Sequence, residues 1–199
     1  MDKKLFEEYM GIFLEQNSKI NLISKNDEQF LWEKHIFDSL AIEKFFDKYD
    51  IKDLAGKQLL DIGTGGGFPS VPIAIKHHEL KVTALDSIHK KINAIIEMKT
   101  LLNLKNLETV CDRAEKIKDK KFDYITLRAV TSLKKLLPIA VPLLKKNGFL
   151  IAYKSVKVNE EIDEAKFEIE KYSVKITDII PYNLPLKENY TRNLVVIQK

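Results

Sequence analysis

The chain has 199 residues, of which 45% are hydrophobic and 31% charged, a balance that fits one compact globular unit and excludes a disordered or fibrous chain. Apolar runs such as Leu59 to Ile62 and Leu143 to Leu144 fall far short of the roughly 20 residues a membrane helix needs, and Glu7-Glu8 interrupts any apolar leader. No membrane partner and a cytoplasmic location are therefore expected. Cys111 is the only cysteine, which excludes an internal disulfide and a Cys-rich zinc module; no metal site is expected. The net charge of +4 is unevenly spread, with residues 1–53 at −4, residues 54–154 at +9 and residues 155–199 at −1. The middle block is either a scatter of solvated lysines or a surface that meets a polyanion.

In chain order, Leu5, Phe6, Tyr9, Met10, Ile12 and Phe13 recur at helical spacing and predict a first helix with one broad apolar face. A second helix is expected to start with Asn26 or Asp27 as N-cap and to run through Phe30, Leu31, Ile36, Phe37, Leu40, Ala41, Phe45 and Phe46. From Lys57 short apolar runs alternate with helix-length segments. Strands are expected at Gln58 to Ile62, Lys81 to Leu85, Leu107 to Cys111, Phe122 to Leu127 and Gly148 to Tyr153. Helices are expected near Pro69 to His77, Ile88 to Leu102 and Leu133 to Leu144. This rhythm predicts an α/β fold with a mostly parallel sheet covered on both faces. A polar helix near Glu160 to Lys171 then precedes two strand-like runs, Val174 to Ile180 and Asn193 to Gln198. Their link, Pro181 to Arg192, lacks a helical pattern and suits an antiparallel pair. A helical extension over residues 1–53 and an α/β unit over residues 54–199, folded as one compact body, is the expected organisation.

Asp61-Ile62-Gly63-Thr64-Gly65-Gly66-Gly67-Phe68-Pro69 holds four of the seven glycines. Glycines directly after a buried strand allow a sharp turn and a close approach of ligand to backbone, and Pro69 suits the first turn of the next helix. The dinucleotide fingerprint would require glycine where Phe68 stands, so the pattern is G-x-G-x-G through Gly63, Gly65 and Gly67. Asp86 ends the second strand, where a carboxylate can accept hydrogen bonds from ribose hydroxyls. A nicotinamide nucleotide and a tight turn without ligand remain as alternatives to a nucleoside lacking a pyrophosphate.

Asp61 to Pro69 resembles the first motif of the class I methyltransferases, which bind S-adenosylmethionine. Together with Asn17 to Leu22, Trp32 to Leu40, Leu85-Asp86-Ser87, Arg113-Ala114-Glu115, Phe122-Asp123, Arg128-Ala129, Lys154 and Arg192-Asn193-Leu194, it resembles the RsmG family, also called glucose-inhibited division protein B, over nearly the whole chain. The resemblance implies a Rossmann-like seven-stranded sheet, mostly parallel with an antiparallel final strand, plus the N-terminal helical extension. It also implies methylation of N7 of a guanine in 16S ribosomal RNA of the small ribosomal subunit. No obligate protein partner is evident in the sequence, and a monomer is expected. Cofactor contacts are then expected from Asp61, Gly63, Thr64, Gly65, Gly67, Phe68 and Asp86, with Ala114 and Glu115 along the adenine and Arg128 between cofactor and substrate. The chain departs from the family pattern at Gly66, Ser70, Leu127 and Ser155, the last two near the expected pocket.

The residues bear on the accepting atom as well. Exocyclic amine methylation uses an Asn or Asp followed by Pro-Pro-aromatic after the fourth strand, where this chain has Leu127-Arg128-Ala129-Val130. Pyrimidine C5 methylation needs a cysteine nucleophile, and Cys111 reads as a buried small hydrophobe. N7 of guanine offers a lone pair and needs only to be held within ~3–3.5 Å of the methyl carbon, in line with sulfur, so no general base is expected. Arg113, Arg128 and Arg192 are the only arginines among 33 basic residues, so each is a candidate for planar bidentate recognition. Arg128, His35 and Lys154 are the expected positioning residues of the catalytic pocket, with Arg128 otherwise paired to an acid such as Asp61. Arg113 and Lys154 are the expected RNA contacts, and Arg192 is expected to be structural. His35 is expected to hydrogen-bond Asp38, three residues on. Trp32 is expected in the core, and Lys116, Lys118, Lys120 and Lys121 on a solvated turn. A small-molecule methyltransferase and a non-catalytic RNA-binding assembly factor are the alternative functions.

Overall fold

The computed structural model describes residues 3–118, 120–129, 131–188 and 190–199. Seven strands form one sheet in the order β3-β2-β1-β4-β5-β7-β6. They are β1 (Gln58–Ile62), β2 (Lys81–Asp86), β3 (Leu107–Cys111), β4 (Phe122–Arg128), β5 (Leu144–Lys154), β6 (Lys175–Leu184) and β7 (Tyr190–Gln198). The first five pair in parallel, and β7 runs antiparallel to both β5 and β6. The expected sheet is therefore present, including its reversed last strand.

Successive strand residues point to opposite faces, and the core divides accordingly. Leu59, Val82, Tyr124, Ile151 and Val196 join one cluster with Phe6, Phe13, Phe45 and Ile73. Leu60, Ile125, Leu150 and Val195 join another with Leu133, Leu136 and Leu137. Burial on both faces explains why β1 and β2 read in the sequence as apolar runs.

Helix α1 (Lys3–Ile20) buries Phe6, Tyr9, Phe13, Gln16 and Asn17 and packs against α4 (Ser70–Lys76) and α5 (His89–Leu101). Asn21, at φ 52°, ends α1 in the left-handed conformation. Pro69 sits one position before α4, at its cap, rather than in its first turn.

The expected continuous second helix is broken. It begins as α2 (Lys25–Glu28), capped by Ser24, whose Oγ accepts the Asp27 N–H at 3.2 Å, and not by Asn26 or Asp27. Wide π-helical turns follow over Leu31–Phe37, then a tight 3₁₀ turn over Leu40–Ile42 and α3 (Glu43–Lys48). Outside groups use this segment's carbonyls: Arg128 donates to Lys34 O at 3.1 Å and Tyr153 Oη donates to Ser39 O at 2.7 Å. Side-chain competition of this kind is what distorts a regular helix ladder.

Helix α6 (Leu133–Ala140) also stops before its expected end; Val141–Leu143 tighten into a 3₁₀ turn and β5 starts at Leu144, ahead of the expected Gly148. The β4–β5 register slips between Phe122 and Tyr124, with Asn147 at φ 62°. The polar C-terminal helix is two pieces, α7 (Val158–Glu164) and α8 (Lys166–Lys171), joined at the fully buried Ala165. The β6–β7 hairpin is longer than expected, because Tyr182, Asn183 and Leu184 pair with Arg192, Thr191 and Tyr190. Pro181 fits β6 because that strand is at the sheet edge. Among the described residues no helix is long and apolar enough to cross a membrane.

Candidate functional site

The glycine loop is clamped to the end of β2. Gly63 N–H and Thr64 N–H both donate to Leu85 O, at 2.8 and 2.9 Å, and Gly65 N–H donates to Asp86 Oδ2 at 2.9 Å. Asp86 Oδ1 accepts Ile88 N–H at 3.0 Å. Each carboxylate oxygen has a second lone pair, so Asp86 retains acceptor capacity for a ligand hydroxyl. Gly65 and Gly67 have φ of 57° and 92°, a region that favours glycine, and a Cβ on Gly67 would lie 2.6 Å from Val71 Cγ2.

Asp61 holds this loop from below. It is fully buried, its Oδ2 accepting Ser70 N–H at 3.2 Å and its Oδ1 accepting Thr126 Oγ1–H at 3.0 Å. Burial pushes its carboxyl up to about 6, against the opposing pull of the Thr64 and Thr126 hydroxyls and the Ser70 N–H. Asp61 lines none of the three cavities described next, and its hydrogen bonds tie the start of α4 to β4 beneath the loop.

Three cavities follow one another along the strand ends. The first, of about 270 Å³, is lined by Gly63, Asp86, Arg113, Ala114 and Glu115. The second, of about 300 Å³, is lined by Gly63, Thr64, Gly65, Phe68, His35 and Arg128. The third, of about 570 Å³, is lined by His35, Arg128, Lys154, Ser155, Tyr190 and Arg192. Gly63 is common to the first two, and His35 and Arg128 to the last two. The residues expected at a cofactor thus surround the first two cavities, Asp61 and Gly67 lying behind the loop.

Arg128 joins the N-terminal segment to the sheet. Its Nη1 donates to Asp38 Oδ2 at 2.9 Å, its Nη2 lies 3.0 Å from His35 Nδ1, and its guanidinium carbon sits 5.0 Å from the Phe68 ring centroid. The acid it pairs with is Asp38, not Asp61. The anticipated His35–Asp38 hydrogen bond gives way to this arrangement, because the π-helical turns direct both side chains to Arg128 and Asp38 Oδ1 accepts Tyr182 Oη–H at 2.6 Å. Burial, and secondarily the Arg128 charge, lowers the His35 pKa to about 4, so the ring is neutral at ordinary pH.

Lys154 is not free at the rim, since its Nζ donates to Thr131 O at 2.6 Å and meets Glu161 Oε2 at 2.7 Å. Arg113 is exposed beside the first cavity, away from the third. Arg192, expected to be structural, instead lines the third cavity. Leu127 is buried in the core on the α6 side, so that departure from the family pattern does not touch the pocket, whereas Ser155 lines it. Trp32 packs edge-on against Phe6 at 5.7 Å, next to the core. Lys116 and Lys120 pair with Asp112 and Glu108, and Lys121 bonds Pro142 O, as a solvated turn would. Asp38, Tyr182 and Tyr190 escaped the sequence reading as site residues in their own right. Tyr182 is 144 positions from its partner Asp38, and no local pattern signals such a pair.

Solved structures share this architecture. A SAM-dependent methyltransferase from Aquifex aeolicus matches with a TM-score of 0.62 at 21% identity, covering 87% of this chain and 95% of that one. TYW2 from M. jannaschii, solved in complex with AdoMet, matches with a TM-score of 0.58 at 21% identity, covering 79% and 74%. The sheet order and the loop after β1 define a class I S-adenosylmethionine-dependent methyltransferase fold. The family of rRNA small subunit methyltransferase G, GidB, matches residues 2–194. Proteins named ribosomal RNA small subunit methyltransferase G from Lachnoclostridium phytofermentans and Staphylococcus saprophyticus are each 37% identical, covering 98% of this chain and 80% of theirs. The chain belongs to this family.

Proposed function

We propose that this rRNA methyltransferase transfers the methyl group of S-adenosylmethionine to N7 of a guanine in 16S rRNA of the small ribosomal subunit, acting in the cytoplasm as a monomer. The observation that carries the choice of atom is the state of the acids around the third cavity: Asp27, Asp38 and Glu161 pair with Lys34, Arg128 and Lys154 at 2.7, 2.9 and 2.7 Å. None stands free to take a proton, and Cys111 lies away from this cavity. An acceptor with a lone pair already in place needs neither group.

The first two cavities fit the cofactor. Asp86 would take the ribose hydroxyls, Ala114 and Glu115 would flank the adenine, and Gly63 to Gly65 would lie against the remainder. When bound, S-adenosylmethionine supplies an activated methyl on a sulfonium. His35 and Arg128 separate that space from the third cavity and hold the two reactants in one geometry, the main contribution asked of the protein here. Arg113 is the proposed RNA contact outside the pocket, while Lys154 contributes through its bond to Glu161. Residues 1–53 and 54–199 act as one body, consistent with Phe6, Phe13 and Phe45 sharing a core with Leu59 and Val82.

Labelled S-adenosylmethionine is to be incubated with naked 16S rRNA and, separately, with unmodified small subunits, and the label mapped to its atom. Label at guanine N7 is expected. Label on an amine or a pyrimidine carbon, or turnover with small molecules alone, would overturn the reading.

A further inference from the structure

The hairpin β6–β7 outruns its neighbour. Strand β5 ends at Lys154, opposite Asn193, while β6 and β7 continue as a two-stranded flap through Tyr182–Arg192 and Leu184–Tyr190. Tyr190 and Arg192, two residues apart, lie on the same face of β7 and both line the third cavity. Tyr190 is 48% exposed although the Arg192 guanidinium carbon sits 5.0 Å from its ring centroid. A large aromatic left open at a cavity mouth and backed by a cation is a surface on which a nucleobase stacks.

Arg192 also differs from the other cations of this cavity. Lys34, Arg128 and Lys154 each pair with a carboxylate, whereas Arg192 has no ion pair among the described residues and its buried Nε has no hydrogen-bond partner. A guanidinium without an acid is suited to a phosphate.

We propose that this flap is a second nucleotide subsite, in which a base of the rRNA strand flanking the target guanine stacks on Tyr190 and its phosphate pairs with Arg192. The proposal rests on the rRNA reading above, not on which base atom is methylated.

The test uses the whole protein with the RNA substrate that supports turnover in the labelling experiment. Stacking contributes roughly 1–3 kcal/mol per base, so Tyr190→Leu should raise the KM for RNA about 5- to 150-fold and leave the affinity for S-adenosylmethionine unchanged. Tyr190→Phe, which keeps the ring, should stay within about 3-fold of wild type. Arg192→Gln should flatten the slope of log K against log salt by about 0.7, one phosphate contact on single-stranded RNA, and Tyr190→Leu should leave that slope alone. A wild-type KM for Tyr190→Leu, or equal losses for the Leu and Phe variants, overturns the stacking role. An unchanged slope for Arg192→Gln overturns the phosphate role. Wild-type turnover at an atom other than N7 would overturn the chemistry above and leave this test standing.

Discussion

Arg128 Nη2 lies 3.0 Å from His35 Nδ1. A guanidinium can only donate, so Nδ1 must accept, and the ring proton of neutral His35 is confined to Nε2. Asp38 and Lys34 O hold Arg128 from its other side, so one buried charge pair sets both the tautomer and the orientation of a ring shared by two cavities.

Arg128→Lys keeps a charge but loses the planar fork. It cannot reach Lys34 O, Asp38 and His35 together, and it leaves Asp38 buried beside a poorly placed partner. Unpairing a buried carboxylate costs about 3–5 kcal/mol. A lysine should forfeit much of that in urea melts, with methyl transfer falling at least about 100-fold. Wild-type stability and rate would show that the fork is dispensable.

His35 carries a pH signature. Its pKa is about 4 in the fold against 6.5 for the free side chain, so above pH 6.5 the neutral ring contributes its full stability. Between pH 6.5 and about 4 the unfolded chain binds a proton that the folded chain refuses, so stability falls as pH falls. The ring is partly exposed, so the loss should reach at most about 2 kcal/mol. His35→Gln should lose less over this window. Asp61, raised to about 6, pulls the opposite way as its protonation relieves the cost of burial, and it does so equally in both proteins. Parallel stability-versus-pH curves would refute the assignment.

Asp86→Asn replaces an acceptor of two backbone N–H groups with a side chain that can serve only one of its former bonds well. Loop anchoring and ribose recognition should suffer together, lowering S-adenosylmethionine affinity at least about 10-fold by calorimetry, while the melting temperature moves by only a few degrees. Unchanged affinity would remove Asp86 from the cofactor site.

Neighbouring glycines should respond unequally. Gly67→Ala places a Cβ 2.6 Å from Val71 Cγ2 at a φ of 92°, while at Gly66 the nearest atom is Leu22 Cβ at 3.2 Å and φ is ordinary. Overpacking and left-handed strain each cost about 1–3 kcal/mol. Gly67→Ala should thus lose several kcal/mol in denaturant melts, and Gly66→Ala within about 1 kcal/mol. Equal losses would contradict the loop geometry.

Where burial on both faces made an element, the sequence displayed it. The central strands β1, β2 and β4 fall within one residue of their expected bounds, since short runs that are mostly buried on both faces leave little choice of register, and the edge strand β3 matches its expected bounds as well. The loop from Gly63 to Phe68 was equally legible, because positive φ and close approach demand glycine locally. Elements shaped by distant partners were not. The segment from Lys25 to Lys48 has helical periodicity throughout, yet Arg128 and Tyr153, from strands 90 and more positions on, take its carbonyls and break it. The hairpin tip shows no apolar run because its residues alternate, Tyr182 and Leu184 turning into the core and their neighbours Pro181 and Asn183 outward.

The amino-acid sequence by itself determined the sheet, the glycine loop and the carboxylate that ends β2, features whose causes lie within a few residues of one another. Only the tertiary structure decided that Asp38, not Asp61, takes Arg128, that His35 accepts from Arg128, that Lys154 is bound to Glu161, and that Tyr190 and Arg192 overhang the third cavity. These are choices among side chains of equal local chemistry, settled by which of them the chain brings within hydrogen-bond reach, and the buried carboxylate of Asp38 takes the cation that reaches it because burial makes an unpaired charge costly.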